Sequence, residues 1–88
     1  MELKDFKLVR VDWFDAQSGF ASPMDIEELM SVPPVETTSV GCLVHEDKEK
    51  IVLGFMMFGK EEYFKHWQMI PKGMIKKITK LREIKDGN

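Results

Sequence analysis

Residues 6–13, FKLVRVDW, alternate along part of their length. Lys7, Val9, Val11 and Trp13 fall on one face, and Phe6, Leu8, Arg10 and Asp12 on the other. Period-two alternation is the mark of a half-buried strand, so the pattern predicts a first strand with Val9, Val11 and Trp13 turned inward. Residues 14–21 follow as a loop, with turn chemistry at Gln17-Ser18-Gly19. In the next stretch, ASPMDIEELMSVPP, the period changes. Ser22 sits as an N-cap, Pro23 at the first helical position and Asp25 three residues after the serine, a capping box with Asp in place of Glu. Carboxylates in the first turn suit the positive end of a helix, Ile26, Leu29 and Met30 form one stripe, and Pro33-Pro34 ends the run. A helix of about two turns is predicted over 23–31, its stripe lying across an apolar surface.

Residues 37–46, TTSVGCLVHE, and 51–58, IVLGFMMF, read as strands joined by the polar connection Glu46-Asp47-Lys48-Glu49-Lys50. Both carry apolar residues on both faces. Val40, Cys42 and Val44 stand against Gly41 and Leu43, and Ile51, Leu53, Phe55 and Met57 against Val52, Met56 and Phe58. Strands of that kind are covered on two sides, here by the helix on one patch and by a subunit interface elsewhere. Gly59 to Glu62 is a turn and 63–70, YFKHWQMI, a fourth strand. Pro71 and Gly73 then make a tight connection. The spacing of Ile75, Ile78 and Leu81 suits a helix over 74–83 or a strand. A 3₁₀ turn followed by a strand is favoured, because the fourth strand runs directly into Pro-Lys-Gly. Five short strands with tight turns predict a mainly β fold, a small five-stranded barrel with one short helix between strands one and two. It forms one domain over 1–83 with a flexible polar tail at 84–88.

Composition narrows the setting. The 88 residues are 43% hydrophobic and 32% charged, with a net charge of −2, which gives no global attraction to nucleic acid or anionic membrane. Cys42 is alone, so no internal disulfide or cysteine zinc cluster can form, and a reducing interior fits best. MELKDFKLVR has no apolar core of signal-peptide length, and no stretch approaches the ~20 apolar residues that span a bilayer. The expectation is a cytoplasmic protein without a membrane segment.

Ile70-Pro71-x-x-x-Ile75-x-x-Ile78 resembles the closing turn of SH3-like and Sm-like barrels, in which a 3₁₀ turn joins the last two strands and isoleucines plug the barrel end. A wider likeness runs over residues 9–81. Trp13, Asp15, Ser18, Phe20, Glu28, Ser39-Val40-Gly41 and Ile70-Pro71-Lys72 resemble the pattern of a family of small, largely uncharacterised bacteriophage proteins. The second aromatic, typically tryptophan in that family, is Phe20 here, and the strand element Gly-aromatic-Leu is Gly41-Cys42-Leu43. The resemblance implies a phage accessory role in the host cytoplasm and no particular chemistry.

The rings of Trp13 and Phe20 can stack on a planar ligand while Asp15 and Ser18 bind its polar edge. The favoured reading is plainer: Trp13 closes the core, with Asp15 and Ser18 capping turn amides. Tyr63, Lys65 and Trp67 share one face of the fourth strand, an aromatic–basic alternation that single-stranded nucleic acid can use, although the acidic balance disfavours it. Lys72, Lys76, Lys77, Lys80 and Arg82 make a basic run able to meet phosphate or to offset the acidic helix. His45 and His66 lack metal-ligand spacing, and Cys42 stands mid-strand without an activating base, so no metal, no cofactor and no catalytic constellation is expected. The leading expectation is a non-enzymatic binding protein, oligomeric, holding a small anionic ligand between subunits through Trp13, Asp15, Ser18, Phe20, Trp67 and Lys72. Counter-defence proteins that sequester nucleotide immune signals are phage proteins of this general kind, and that ligand class comes from the resemblance. The alternative is an adaptor that binds a protein or RNA on the barrel surface.

Overall fold

The structure is a computed structural model that describes residues 6–19, 23–59 and 63–82. Phe20, the expected Ser22 cap and the 84–88 tail lie outside the described residues. The elements run β1 (Lys7–Asp15), α1 (Ile26–Met30), β2 (Val35–Glu46), β3 (Lys50–Gly54), β4 (Met57–Phe58), β5 (Tyr63–Phe64), β6 (Trp67–Pro71), a 3₁₀ turn (Lys72–Met74) and β7 (Ile75–Lys80). The protein is mainly β. Five strands form one antiparallel sheet in the order β6-β3-β2-β1-β7, and β4 and β5 form a separate two-stranded ribbon.

The alternation of β1 is realised in the structure. Val9, Val11 and Trp13 are buried, while Leu8 and Arg10 on the other face are exposed. Cross-strand pairing carries this division across the sheet. Val9 faces Gly41, Val11 faces Ser39 and Ile78, Leu43 faces Leu53, and Ile51 faces Ile70. The inner face therefore holds the core of Val9, Val11, Trp13, Ile51, Leu53 and Ile70, with Leu43, Met74, Ile75 and Ile78 packed against it. Two register shifts bend the ladder, one in β2 at Val44 and one in β7 at Lys76. Among the described residues β6 and β7 pair only inward, so the sheet keeps two edges and the ladder does not close into a barrel. Its curl is nonetheless strong, because side chains of β2 and β6, which are not neighbours, touch across the inner face.

Three expectations need correction. The stretch 51–58 is not one strand: β3 stops at Gly54 and the chain resumes as β4. The stretch 63–70 is likewise split into β5 and β6. Both breaks fall at the same level. Phe55 N–H donates to the His66 carbonyl and Lys65 N–H to the Met56 carbonyl, so the hairpin bends there as a unit. The cause lies at Gly54. A Cβ on this residue would overlap the Phe64 ring, which occupies the space above it. Gly41 plays the matching part on the inner face, where a Cβ would stand 2.9 Å from the ring of Phe55. The third correction concerns the helix. It covers Ile26–Met30, capped by the Asp25 carboxylate on the Glu28 N–H at 2.8 Å, and buries none of its residues. Ile26 is 75% and Met30 81% exposed, so its stripe covers no patch of its own sheet.

Candidate functional site

The six residues singled out in the sequence do not converge. Trp13 is 6% exposed on the inner face, and its indole N–H donates to the Ser39 hydroxyl at 3.1 Å. Ser39 in turn donates to the Gln68 side-chain carbonyl at 2.7 Å. Trp13 is thus a core residue whose polar edge is satisfied internally. Asp15 ends β1 and accepts the Ala16 N–H at 2.7 Å, and Ser18 is exposed in the following loop. Trp67 stands on the opposite face, 66% exposed, paired with Gly54. Lys72 opens the 3₁₀ turn and its ammonium donates to Glu46 at 2.7 Å, which ties the turn to the end of β2. That contact holds the Glu46 carboxyl below its ordinary value.

The other face of the sheet carries features the sequence reading passed over. An open concavity of about 530 Å³ lies over β1, β2 and β7, lined by Arg10, Asp12, Trp13, Phe14, Glu36, Thr37, Thr38, Lys76 and Lys77. Consecutive strand residues ordinarily point to opposite faces. Lys76 and Lys77 both line this groove because the bulge gives Trp13 to Ile75 and Asp12 to Lys77, leaving Lys76 unpaired between them. The Lys76 ammonium lies 5.8 Å from the centroid of the Phe14 ring and 3.6 Å from a Glu36 carboxylate oxygen. Arg10 donates twice to Asp12, at 3.1 and 3.2 Å, and the Thr38 hydroxyl donates to the same oxygen at 2.8 Å. The Thr38 bond, and then Arg10, hold the Asp12 carboxyl below its ordinary value. Charge in the groove is therefore largely answered from within. The lysine pair was visible in the sequence, but a bulge that turns both side chains one way leaves no local signal.

A second concavity, of about 630 Å³ and mostly apolar, is lined by Met56, Phe58, Phe64 and Lys65 at the two-stranded ribbon. It adjoins a continuous row. Leu81 donates its N–H to the Leu8 carbonyl, Leu8 pairs with Cys42, Cys42 with Gly54 and Gly54 with Trp67. These positions share one level of the outer face, from Leu81, just past the end of β7, to Trp67 on β6. The Phe64 ring lies over Gly54 and meets Phe6 edge-on, with centroids 5.6 Å apart. Leu8, Leu81 and Trp67 are exposed, and so are Val40 and Met69 beside them. Cys42 is buried in this row, and burial pushes its thiol ionisation up, away from a reactive thiolate.

Among the described residues no group of three His, Cys, Asp or Glu side chains could hold a metal ion, and no helix is long and apolar enough to cross a membrane. In comparisons with protein-family models, with curated proteins and with solved structures, nothing matches this chain.

Proposed function

We propose that this chain is a small non-enzymatic binding protein that works by association with protein through the outer face of its sheet. The observation that carries this reading is the apolar outer face, where exposed Leu8, Leu81 and Val40 on one side and exposed Trp67 and Met69 on the other flank the Phe64 ring that lies over Gly54. Single exposed apolar residues are ordinary, whereas several gathered on one face of a sheet mark an interaction surface. The same chain buries only seven hydrophobic residues among those described, so its own core uses a small part of its apolar content. An SH3-like or Sm-like kinship belongs to this reading. It is supported by the return of β7 to the side of β1 and by the 3₁₀ turn between β6 and β7.

A native mass spectrum of protein freshly purified from its expression host tests the proposal. Complexes of fixed stoichiometry that dissociate when Trp67 is replaced by Ser are expected. A bare monomer at every concentration overturns it.

A second reading has its own observation, the side-by-side presentation of Lys76 and Lys77 next to the Phe14 ring. A nucleotide-type ligand could stack on Phe14 and set its phosphates against the lysines, displacing Glu36. The groove is open, so a second subunit would be needed to enclose such a ligand. This is the form that a phage accessory protein sequestering a nucleotide signal would take in a host cytoplasm. Added mass at fixed stoichiometry in the same spectrum, lost in K76A/K77A, is the expected signature. RNA on the same surface would instead show a steep fall in affinity with salt.

A further inference from the structure

We infer that the open edge of β7 takes up an added strand: an extended, acidic segment of another protein, hydrogen-bonded along the edge and held by lysines on both faces of the sheet. The contact lies at the opposite side of the sheet from Trp67 and does not depend on association through the outer face.

Register identifies the open backbone groups. In an antiparallel ladder, pairs that exchange hydrogen bonds alternate with pairs that do not, so every second residue of an edge strand turns its N–H and C=O outward. Leu81 N–H donates to the Leu8 carbonyl, and the same alternation makes bonded pairs of Thr79 with Arg10 and of Lys77 with Asp12. Ile78 and Lys80 therefore turn their amides and carbonyls away from β1, on the side where no described strand meets β7. Such a row is a template for a further strand.

The other edge of the sheet is less suited. Phe55 N–H donates to the His66 carbonyl and Lys72 N–H to the Glu49 carbonyl, so by alternation Gln68 and Ile70 also bond to β3. The outward backbone groups of β6 are then those of Trp67, Met69 and Pro71, and proline supplies no N–H. Strand β7 contains neither proline nor glycine, and its bulge at Lys76 leaves 77–80 in regular pairing.

Charge selects the incoming strand. From Lys65 to Arg82 there are six lysines and arginines and no carboxylate. Lys77 stands on the outer face, and Lys80 falls on the other face with Ile78, so cations flank the edge on both sides. Among the described residues neither lysine meets a carboxylate. Lysines guard an edge against its own kind, because a second β7 would set like charges opposite one another. A strand carrying carboxylates would pair with them instead. The described residues of this chain offer no such strand. The acidic run from Val11 to Asp47, eight carboxylates without a lysine or arginine, lies in the central strands β1 and β2, in α1 and in the turn after β2. Strands β4, β5 and β6 carry no charged residue. The occupant is therefore a segment of a different protein.

Amide hydrogen exchange on the full chain, read by NMR with two short probe peptides, tests the inference. One peptide alternates glutamate with valine, the other lysine with valine. The Ile78 and Lys80 amides are expected to exchange freely in the protein alone and to slow at least ~10-fold with the glutamate peptide only. Lys77→Glu/Lys80→Glu keeps every backbone group and should reverse the preference between the peptides. Lys80→Pro removes an outward N–H and should bind the glutamate peptide about 10-fold more weakly than Lys80→Gln, which removes the charge alone. Far-UV circular dichroism checks that the sheet is kept, and the charge-reversed pair decides the matter if Lys80→Pro loses it. Trp67→Ser should bind the glutamate peptide as wild type does. Amides already protected in the free protein, or unchanged by the glutamate peptide, overturn the edge as the site. Equal binding of both peptides, or no reversal in the double variant, overturns the acidic partner. Loss of binding in Trp67→Ser would move the peptide to the outer face and overturn the edge while leaving the outer-face reading standing.

Discussion

Ser39 and Gln68 touch across the inner face, hydroxyl to side-chain carbonyl at 2.7 Å, although β2 and β6 are separated in the sheet by β3. The contact measures the curl of the sheet. It also completes a relay, because the same hydroxyl accepts the Trp13 indole N–H at 3.1 Å. Three elements far apart in sequence are thus locked by one serine. Ser39→Ala is expected to leave the indole N–H and the Gln68 carbonyl without these partners and to cost about 1–3 kcal/mol, read by urea denaturation. A midpoint equal to that of wild type would show that the relay does not stabilise the curl.

Gly54 is expected to reject any side chain. Its outer face is filled by the Phe64 ring, so Gly54→Ala forces the ring away and costs about 1–3 kcal/mol. Phe64→Ala clears the space, and the double variant should lose clearly less than the sum of the single losses. Additive losses in thermal unfolding would place the strain elsewhere.

The core and α1 should respond in different ways. Leu53 and Ile51 are fully buried, and truncating either to Ala is expected to cost about 2–5 kcal/mol. Total stabilities of about 5–15 kcal/mol are usual for small domains, so one such change takes a large share. Ile26→Ala and Leu29→Ala, by contrast, should change unfolding at low protein concentration little, because both side chains are mostly exposed and α1 buries none of its residues. A loss there at high dilution would show a seat within the chain.

Stability should fall in acid through a known set of carboxylates. Asp47 accepts from His45 at 2.7 Å, from the Glu49 and Lys50 amides at 2.8 and 3.0 Å, and from the Lys50 ammonium at 3.0 Å. These bonds, that to His45 foremost, hold its carboxyl far below the ordinary 3.8. Asp12 and Glu46 are lowered as well, by Thr38 and by Lys72 respectively. A group whose ionisation is lowered on folding stabilises the fold fully above its unfolded value. It loses that contribution as pH falls toward its folded value. The melting temperature should therefore be flat from pH 7 to about 5 and drop below about 4. Asp47→Asn should lower it at neutral pH and make the acid drop shallower. An acid profile identical to that of wild type would remove Asp47 from the set.

Much of the strand content was legible because strands write a period of two into the chain. Val9, Val11 and Trp13 could be placed inward from spacing alone, and the 3₁₀ turn from Pro71 and Gly73. The candidate site was not legible in the same way. Trp13 and Trp67 look alike as aromatic residues next to polar ones, yet one is sealed in the core and the other stands on the outer face. Which face a strand residue takes depends on the register of its partners. The bulge at Lys76 and the splitting of 51–58 at Gly54 each change that register. Of the cover expected over the doubly apolar strands, the part assigned to the helix is not realised, since α1 buries none of its residues.

By itself, then, the sequence determined a mainly β chain, the inward edge of its first strand, the position of its closing turn and the separation of acidic from basic halves. These are local or compositional properties, set by side-chain spacing, backbone restriction at proline and glycine, and the count of charges. Tertiary structure alone decided that Leu81, Leu8, Cys42, Gly54 and Trp67 stand in one row, that Lys76 and Lys77 face one groove, and that α1 buries none of its residues. Those facts depend on pairing between residues as far apart as Val9 and Lys80 and on where bulges absorb an extra residue, and no period within any one segment encodes them.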